Sequence, residues 1–368
     1  MKNCFGRTLS AALMTGWMAA PALAQDGPPP DLPVSVLTLG NLNTGGLLYP
    51  AFSNDTYGTI QTRFGESRSA LAAAAAPGGP QTGFKDGSTA YVLPFQVLQD
   101  VSSPAGVAFL RYSGSFARVD PDDNLQTVPG DTFRTDVQYF RAPTPDLMYG
   151  FGVFYETADF SETLGNSTVR REGAGVRGDL MARLSDQWGF VGRMEYSWGD
   201  VSLNAPIAPG VTLEQDQGDD RFYVQAELVG TYGAADVPSL PGNWLLHPTV
   251  GVAYQRNAIE TVQNSLGGTV SGVAGDTEEY GLIWARMRME SFDPRPGTFS
   301  PNGAIGFEYE FANDLDALVD EDTYAVVTIG GGYQVSPSVR IELDYTRHQG
   351  LSGNRSNDSF AIATNFSF

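Results

Sequence analysis

The sequence predicts an all-β protein, a transmembrane antiparallel up-and-down β-barrel of twelve strands. From Ala105 to Phe368, about twelve segments of about 10 to 15 residues alternate apolar or aromatic side chains with polar or small ones. Short turns alternate with longer acidic loops between these segments. Such a layout is typical of a meander whose two ends face different compartments. The segments share one apolar side and carry their charges on the other side.

The N-terminus has the features of a secretory signal peptide over residues 1–24. A charged start containing Lys2 precedes the mostly apolar stretch 9–20, and Ala24 occupies a small-residue cleavage position. Cleavage there would also remove Cys4, the one cysteine of the sequence, so the mature chain would have no disulfide. We therefore expect an exported protein whose stability does not depend on disulfides.

Residues 25–104 differ from the chain that follows and are interpreted as an N-terminal segment. The run "SRSALAAAAA" is the best helix candidate in the sequence and could form a lumenal helix or plug inside the barrel, residues 105–368. The run "TAYVLPFQVLQD" could be an additional strand. Closure would then require another strand before it, around "DTYGTIQTRF", giving fourteen. Twelve remains the preferred count.

The strand "QWGFVGRMEYSW" gives a length that can be compared with a bilayer. Trp188 and Trp198 share its apolar face and are ten residues apart, roughly 33 Å along a strand. At a tilt of about 40° this projects to roughly 25 Å, the height of the lipid-facing band between the aromatic girdles of outer-membrane barrels. We therefore interpret both tryptophans as girdle residues. A secreted β-sandwich or solenoid is the alternative, but it leaves these shared apolar faces without a packing partner.

The opposite faces of the strands carry arginines and carboxylates at similar depths. If these faces line one enclosed lumen, the charges must be paired, because removing an ion from water is costly. We therefore predict a lumenal charge network. Its members are Arg111, Arg134, Asp136, Arg177, Asp179, Arg183, Arg193, Glu195, Glu227, Arg286, Arg288, Glu290, Glu308, Arg340 and Glu342.

The chain is strongly acidic, with a formal net charge of −20. This charge argues against nucleic acid as a partner, since phosphates would be repelled. We expect outer-membrane lipid and lipopolysaccharide as the surroundings. The acidic loops, including Asp120, Asp122 and Asp314, could bind divalent cations loosely, although solvated acidic loops are the simpler interpretation. No metal site or cofactor is predicted.

Two further patterns do not indicate an enzyme. Gly173, Gly175 and Gly178 match G-x-G-x-x-G, but the match lies within a strand, where inward glycines would make room in the lumen. The two histidines, His247 and His348, come with no recognisable nucleophile. We therefore predict that the protein has no catalytic residues.

The stretch from Ala105 to Phe368 resembles the translocator β-domain of autotransporters, with a possible helix ahead of twelve strands and an aromatic C-terminus. The closing "AIATNFSF" is similar to the last strand of that family. By this resemblance, Phe360, Ile362, Phe366 and Phe368 would be the signal that the barrel-assembly machinery reads.

The resemblance implies a protein of the Gram-negative outer membrane that acts as a translocator-like or surface-exposed barrel. The alternative is a small-solute diffusion channel. Autotransporters carry a long passenger between signal peptide and barrel, whereas only about 80 residues occupy that place here.

Overall fold

The computed structural model describes residues 88–367, with gaps at 104–105, 122–129, 145, 162–166, 273–274, 292, 294, 315–320 and 354. The predicted signal peptide, the helix candidate and Phe368 lie outside the described residues. Within the described ranges, no helix is long and apolar enough to cross a membrane.

The described chain is built from fifteen β-strands. Their bounds are β1 Ser88–Asp100, β2 Val107–Pro121, β3 Gly130–Thr144, β4 Leu147–Ser161, β5 Thr168–Arg183, β6 Trp188–Ala208, β7 Val211–Gly230, β8 Trp244–Ile259, β9 Val262–Gln263, β10 Thr269–Val270, β11 Thr277–Ser291, β12 Phe299–Asn313, β13 Thr323–Ser336, β14 Val339–Gly350 and β15 Ser356–Ser367. Strands β9 and β10 pair only with each other, in the connection between β8 and β11. The other thirteen strands form a closed barrel.

The predicted fold class is confirmed, but the count of twelve is one strand short. Sequential neighbours from β1 to β15 pair antiparallel, and β1 also pairs in parallel with β15. An odd number of up-and-down strands cannot close without one parallel pair, because the first and last strands then run in the same direction. The added strand, Ser88–Asp100, contains the "TAYVLPFQVLQD" segment, which the predicted boundary at residue 105 leaves outside the barrel. The barrel therefore begins before Ala105.

The two ends of the barrel differ in their connections. One end, called the turn end, carries the two-residue connections 145–146 and 337–338, and β15 finishes there. The other end, called the loop end, carries the 260–276 connection and the hairpin formed by the long strands β6 and β7. Strand β1 starts at the loop end, since Ser88 lies opposite Pro121 and Asn357.

Side chains alternate along each strand between the barrel interior and its outer surface. On β5, for example, Arg171, Arg177 and Asp179 are buried, whereas Val176 and Leu180 are exposed. The period of two residues in a pleated strand produces this division directly. The outer surface is consequently apolar, and most of the buried side chains inside the barrel are polar or charged.

Candidate functional site

Among the described residues, the interior of the barrel contains a connected set of five arginines and five carboxylates. We call it the ion-pair cluster. It extends over strands β3 to β7, and each member shares at least one ion pair with another member. The members are Arg134, Asp136, Glu156, Arg171, Arg177, Asp179, Arg193, Glu195, Asp219 and Arg221.

Arg134 joins strands that are not neighbours. Its Nε and Nη2 donate to the carboxylate of Asp136 at 3.0 and 2.9 Å. Its Nη1 and Nη2 also donate to Glu195 on β6, at 3.0 and 2.9 Å. Two strands lie between β3 and β6. Long side chains with a planar fork of donors suit such a bridge, because one guanidinium can serve two carboxylates in two-point contacts.

The Arg134 guanidinium also lies over an aromatic ring, with Cζ 3.9 Å from the centroid of Phe154. The same ring covers Gly175, where an added Cβ would lie 2.5 Å from Phe154 Cζ and 2.3 Å from the carbonyl oxygen of Tyr196. Gly175 is therefore required so that the ring can approach β5 closely and contact the arginine.

Two further glycines make room for Arg171. Its guanidinium donates to Asp219 Oδ2 at 2.7 Å, to Ser197 Oγ at 3.1 Å, and to Glu156. An added Cβ at Gly173 or Gly199 would lie 2.7 or 2.8 Å from its terminal nitrogens. The prediction that the inward glycines of the G-x-G-x-x-G match make room in the lumen is thus confirmed for the first two glycines. It is wrong for Gly178, which is on the outer face and has only a carbonyl oxygen at 4.0 Å.

The opposite wall of the barrel carries smaller groups of charges. Glu308 on β12 pairs with Arg286 on β11, and His348 Nε2 lies 3.3 Å from it without hydrogen-bond geometry. Glu290 accepts a hydrogen bond from Arg288 at 3.1 Å and lies 3.4 Å from His247 Nε2. Apart from His348 and Glu308, which lie on β14 and β12 with β13 between them, these are pairs within one strand or between adjacent strands.

The structure places fourteen of the fifteen residues of the predicted charge network inside the barrel, with Arg340 partly exposed near the turn end. The exception is Arg183, which lies at the turn between β5 and β6. Its guanidinium donates to Asp186 at 2.7 Å and to the carbonyl of Ser185 at 3.2 Å. Its place in the alternation is inward, but the strand ends there and the side chain reaches solvent instead.

Four members of the ion-pair cluster were absent from the prediction, namely Glu156, Arg171, Asp219 and Arg221. The two-residue alternation could have identified these four residues. Each lies an even number of positions from a predicted member or from a buried residue on its own strand. An apolar interior patch of Tyr223, Ala253, Tyr280, Leu282 and Trp284 was also not anticipated. The only indication of this patch in the sequence was that apolar residues occupy positions that alternate with the outward-facing ones.

His247 has a threonine hydroxyl and a backbone carbonyl beside its Nδ1 atom. His247 Nδ1 lies 3.2 Å from Thr231 Oγ1 and 3.2 Å from the carbonyl oxygen of Gly230. Both histidines are buried beside glutamates. Among the described residues, no group of three or more His, Cys, Asp or Glu side chains is placed to hold a metal ion.

Other predicted residues lie as follows. Trp188 and Trp198 are on the outer surface, where Trp198 packs edge-on against Tyr196 with ring centroids 5.0 Å apart. Phe360 and Ile362 are exposed on the outer face of β15, whereas Phe368 lies outside the described residues. Of the acidic loop residues, Asp120 pairs with Arg118, Asp314 accepts a hydrogen bond from the backbone N–H of Glu279 at 2.9 Å, and Asp122 lies outside the described ranges.

The comparisons with known proteins agree with this architecture. The family model for the autotransporter β-domain matches residues 108–346, more than half of the chain. Among solved structures, the β-domain of the Bordetella autotransporter BrkA is 15% identical with a TM-score of 0.51, covering 72% of this chain and 100% of that one. The translocator domain of autotransporter NalP from Neisseria meningitidis is 11% identical with a TM-score of 0.52, covering 86% and 98%. No curated protein matched the sequence.

At these identities the two structures show a shared fold, and the family model assigns the membership. Translocator barrels of this family lie in the outer membrane of Gram-negative bacteria. The chain therefore belongs to the autotransporter β-domain family and is an outer-membrane β-barrel of that type.

Proposed function

We propose that the protein is a translocator-like barrel whose lumen is closed at rest by part of the N-terminal segment ahead of Ser88. The observation that carries the proposal is the burial of three short interior side chains. Gln96 on β1, Ser113 on β2 and Asn365 on β15 lie side by side in the wall and are only 0, 3 and 5% exposed. Side chains of this length cannot cover one another against an open lumen. This burial supports a cover formed by another part of the chain.

The topology of β1 supports the N-terminal segment as the cover. Because β1 begins at the loop end, Ser88, to which the N-terminal segment connects, is at that end. Outer-membrane barrels have long loops outside the cell and short turns in the periplasm, so the loop end is assigned to the exterior. An exported segment that starts in the periplasm and connects to β1 at the exterior has its shortest route through the lumen.

The alternative of a small-solute diffusion channel is less favoured. Barrel width grows with strand number, and thirteen strands are between the filled eight-stranded and the open sixteen-stranded barrels. Here the interior holds the ten residues of the ion-pair cluster, and Arg134 joins strands β3 and β6 across two others. Solutes would have to pass beside these side chains.

Planar-bilayer conductance tests the proposal. The full mature chain is compared with a chain that lacks residues 25–86. We expect no steady conductance from the full chain and a pore after the deletion. A steady pore in the full chain would favour the channel instead.

The assigned orientation is tested separately with single cysteines, because the one native cysteine, Cys4, lies in the predicted signal peptide. Ser352 is exposed at the loop end and Ser239 at the turn end. A membrane-impermeant maleimide added to intact cells should label Ser352→Cys and leave Ser239→Cys unlabelled. Permeabilised cells should allow both to react. Labelling of Ser239→Cys alone in intact cells would show that the turn end, and not the loop end, faces the exterior.

The proposal includes assembly partners and the absence of catalysis. Phe360 and Ile362, exposed on the outer face of the last strand, would be read by the barrel-assembly machinery. Lipopolysaccharide and lipid would surround the apolar surface after cleavage of the signal peptide. Replacing both residues by serine should reduce the amount of folded barrel in the outer membrane. The matched change Ser359→Ala, on the interior phase of the same strand, should not.

A further inference from the structure

We propose that the contact between β1 and β15 is a lateral gate, where the barrel wall opens towards the surrounding lipid while β1 stays on β2. We call this contact the seam. Strands β1 and β15 form the parallel pair of the barrel, whereas the other neighbouring barrel strands pair antiparallel. A parallel pair is slightly less stable per residue than an antiparallel one. The seam therefore starts from a weaker type of pairing than the rest of the wall.

The pairing in the seam is also interrupted in its middle. Residues 88–92 and 95–98 of β1 have partners on β15, whereas Leu93 and Pro94 have none among the described residues of that strand. Proline has no backbone N–H and cannot donate a hydrogen bond to a neighbouring strand. The interruption coincides with this proline, so the hydrogen bonds of the seam are divided into two short parts.

The interior side chains at the seam do not join the two strands. Gln96 and Asn365 lie opposite each other across the seam, and both are buried. Both polar atoms of the Gln96 amide group and the Oδ1 atom of Asn365 have no hydrogen-bond partner among the described residues. On the wall from β3 to β7, by contrast, ion pairs join β3 to β6 and β5 to β7. Interior side chains therefore reinforce that wall more than they reinforce the seam.

The contact of β1 with its other neighbour is much more complete. The antiparallel pairing with β2 continues without a gap along the whole of β1. The Phe95 ring lies close to Gly114 of β2, where an added Cβ would be 2.7 Å from Phe95 Cε1. The short connection between the strands is closed by a hydrogen bond from the Val101 N–H to the Ala108 carbonyl at 3.0 Å. Strands β1 and β2 should therefore separate from β15 together, as one hairpin.

An aromatic contact indicates where the opening is largest. On the outer face, the Tyr91 ring stacks on Phe360 with centroids 5.8 Å apart. This contact lies on the loop-end side of Pro94, whereas residues 95–98 form the shorter part of the seam on the turn-end side. We therefore expect the opening to extend from Pro94 towards the turn end. Lipid cannot hydrogen-bond the backbone groups that are then exposed, so the open form is a minor population.

Hydrogen–deuterium exchange of the refolded full-length mature protein in lipid nanodiscs tests the gate. The exchange of single amides in β1 is measured by mass spectrometry with fragmentation. About half of these amides point to β15 and the others to β2, because amide direction alternates along a strand. We expect the half that points to β15 to exchange at least about tenfold faster than the half that points to β2. Equal protection of both halves would overturn the proposal. Equally fast exchange of both halves would overturn it as well, because the whole hairpin would then unfold.

A disulfide across the seam tests whether its opening causes the fast exchange. Neighbouring strands are about 4.8 Å apart, which a disulfide can span. In the double variant Gln96→Cys and Asn365→Cys, oxidation should slow the fast half at least about tenfold, and reduction should restore it. A matched disulfide between Thr328→Cys and Thr346→Cys, which lie opposite each other on β13 and β14, should leave the fast half unchanged. Fast exchange that persists in the oxidised seam variant would overturn the proposal.

A third variant restores the missing hydrogen-bond donor. Pro94→Ala supplies an N–H at the interruption, so the amides that point to β15 should exchange at least about threefold more slowly than in the wild type. The amides that point to β2 should be unchanged. Unaltered exchange in this variant would contradict the role given to Pro94. The heat-dependent shift in gel electrophoresis establishes that each variant is folded.

Discussion

At the scale of single residues, the interior of the barrel is ordered in layers. Gly175 has no side chain, so the Phe154 ring can approach β5 closely at that position. The Arg134 guanidinium lies over the ring. Asp136 and Glu195 accept hydrogen bonds from that guanidinium. The position of a charge thus depends on a residue that has no side chain at all.

The substitution Gly175→Ala tests this layering. The new Cβ would lie too close to the Tyr196 carbonyl oxygen and to the Phe154 ring. We expect unfolding free energy to fall by about 1–3 kcal/mol, as in other overpacked sites. The control is Gly178→Ala on the outer face of the same strand, which should change it by less than about 0.5 kcal/mol. Urea unfolding in lipid vesicles measures both, and equal effects would contradict the layered arrangement.

Removing the Arg134 guanidinium should be more damaging. Arg134→Met leaves Asp136 and Glu195 buried with less compensation, and breaking a buried pair in this way typically costs about 3–5 kcal/mol. The same change at the exposed Arg118 should cost at most about 1 kcal/mol. Parallel unfolding titrations of the two variants give the comparison. A small loss in Arg134→Met would mean that water or the remaining arginines compensate the carboxylates.

A pH-dependent contact lies outside the membrane, in the turn between β11 and β12. The Arg295 side chain and backbone donate hydrogen bonds to Asp293 and lower the pKa of its carboxyl to about 2. A lowered pKa stabilises the folded state above the ordinary value near 3.8, and this contribution is lost as the pH falls through about 2. NMR titration of Arg295→Gln should therefore find the Asp293 pKa raised towards the ordinary value. An unchanged pKa would exclude the side-chain contact as the cause.

At the scale of elements, β1 is the most informative strand. Its odd-numbered residues, including Tyr91, Leu93 and Phe95, are exposed on the outer face, and Gln96 and Leu98 are buried inside. The ring of Tyr91 stacks on Phe360 of β15 with centroids 5.8 Å apart. The strand therefore has the same two-sided character as the antiparallel strands, although its pairing with β15 is parallel.

A charge on the outer face of β1 tests whether this strand is part of the membrane wall. Leu93 is near the middle of β1, so Leu93→Arg should lower the unfolding free energy in vesicles by about 2–4 kcal/mol. Gln99→Arg, on the same face near the turn end, should cost at most about 1 kcal/mol. If both variants are as stable as the wild type, β1 does not face lipid.

At the scale of the whole molecule, the barrel is inverted relative to a water-soluble protein. Its outer surface is apolar and most of the buried side chains in its interior are charged or polar. Closure satisfies the backbone groups that lipid cannot hydrogen-bond. The interior charges then need partners of their own, and the ion-pair cluster supplies them.

This inversion predicts how the purified protein behaves. The mature chain should remain monodisperse only with detergent or lipid present, and the unboiled protein should migrate differently from the boiled protein in gel electrophoresis. Size-exclusion chromatography and paired gel lanes measure the two properties. Monodisperse behaviour in plain buffer without a gel shift would contradict the membrane assignment.

The local pattern was sufficient for much of the fold. The two-residue alternation predicted the barrel class, the outer position of Trp188 and Trp198, and the inward position of Arg134 and Arg177. It failed at Arg183, where the strand ends. The alternation also missed the interior patch around Trp284. An apolar residue at an inward-facing position does not indicate which other residues it packs against.

Which side of each strand is apolar follows from the order of residues alone, since side-chain direction in a strand depends only on position along the chain. The contact between Arg134 and Glu195 and the thirteen-stranded closure through β1 became known from the three-dimensional structure. The physical reason is that ion pairs and closure depend on distances between strands far apart in the chain. Alternation within one strand carries no information about those distances.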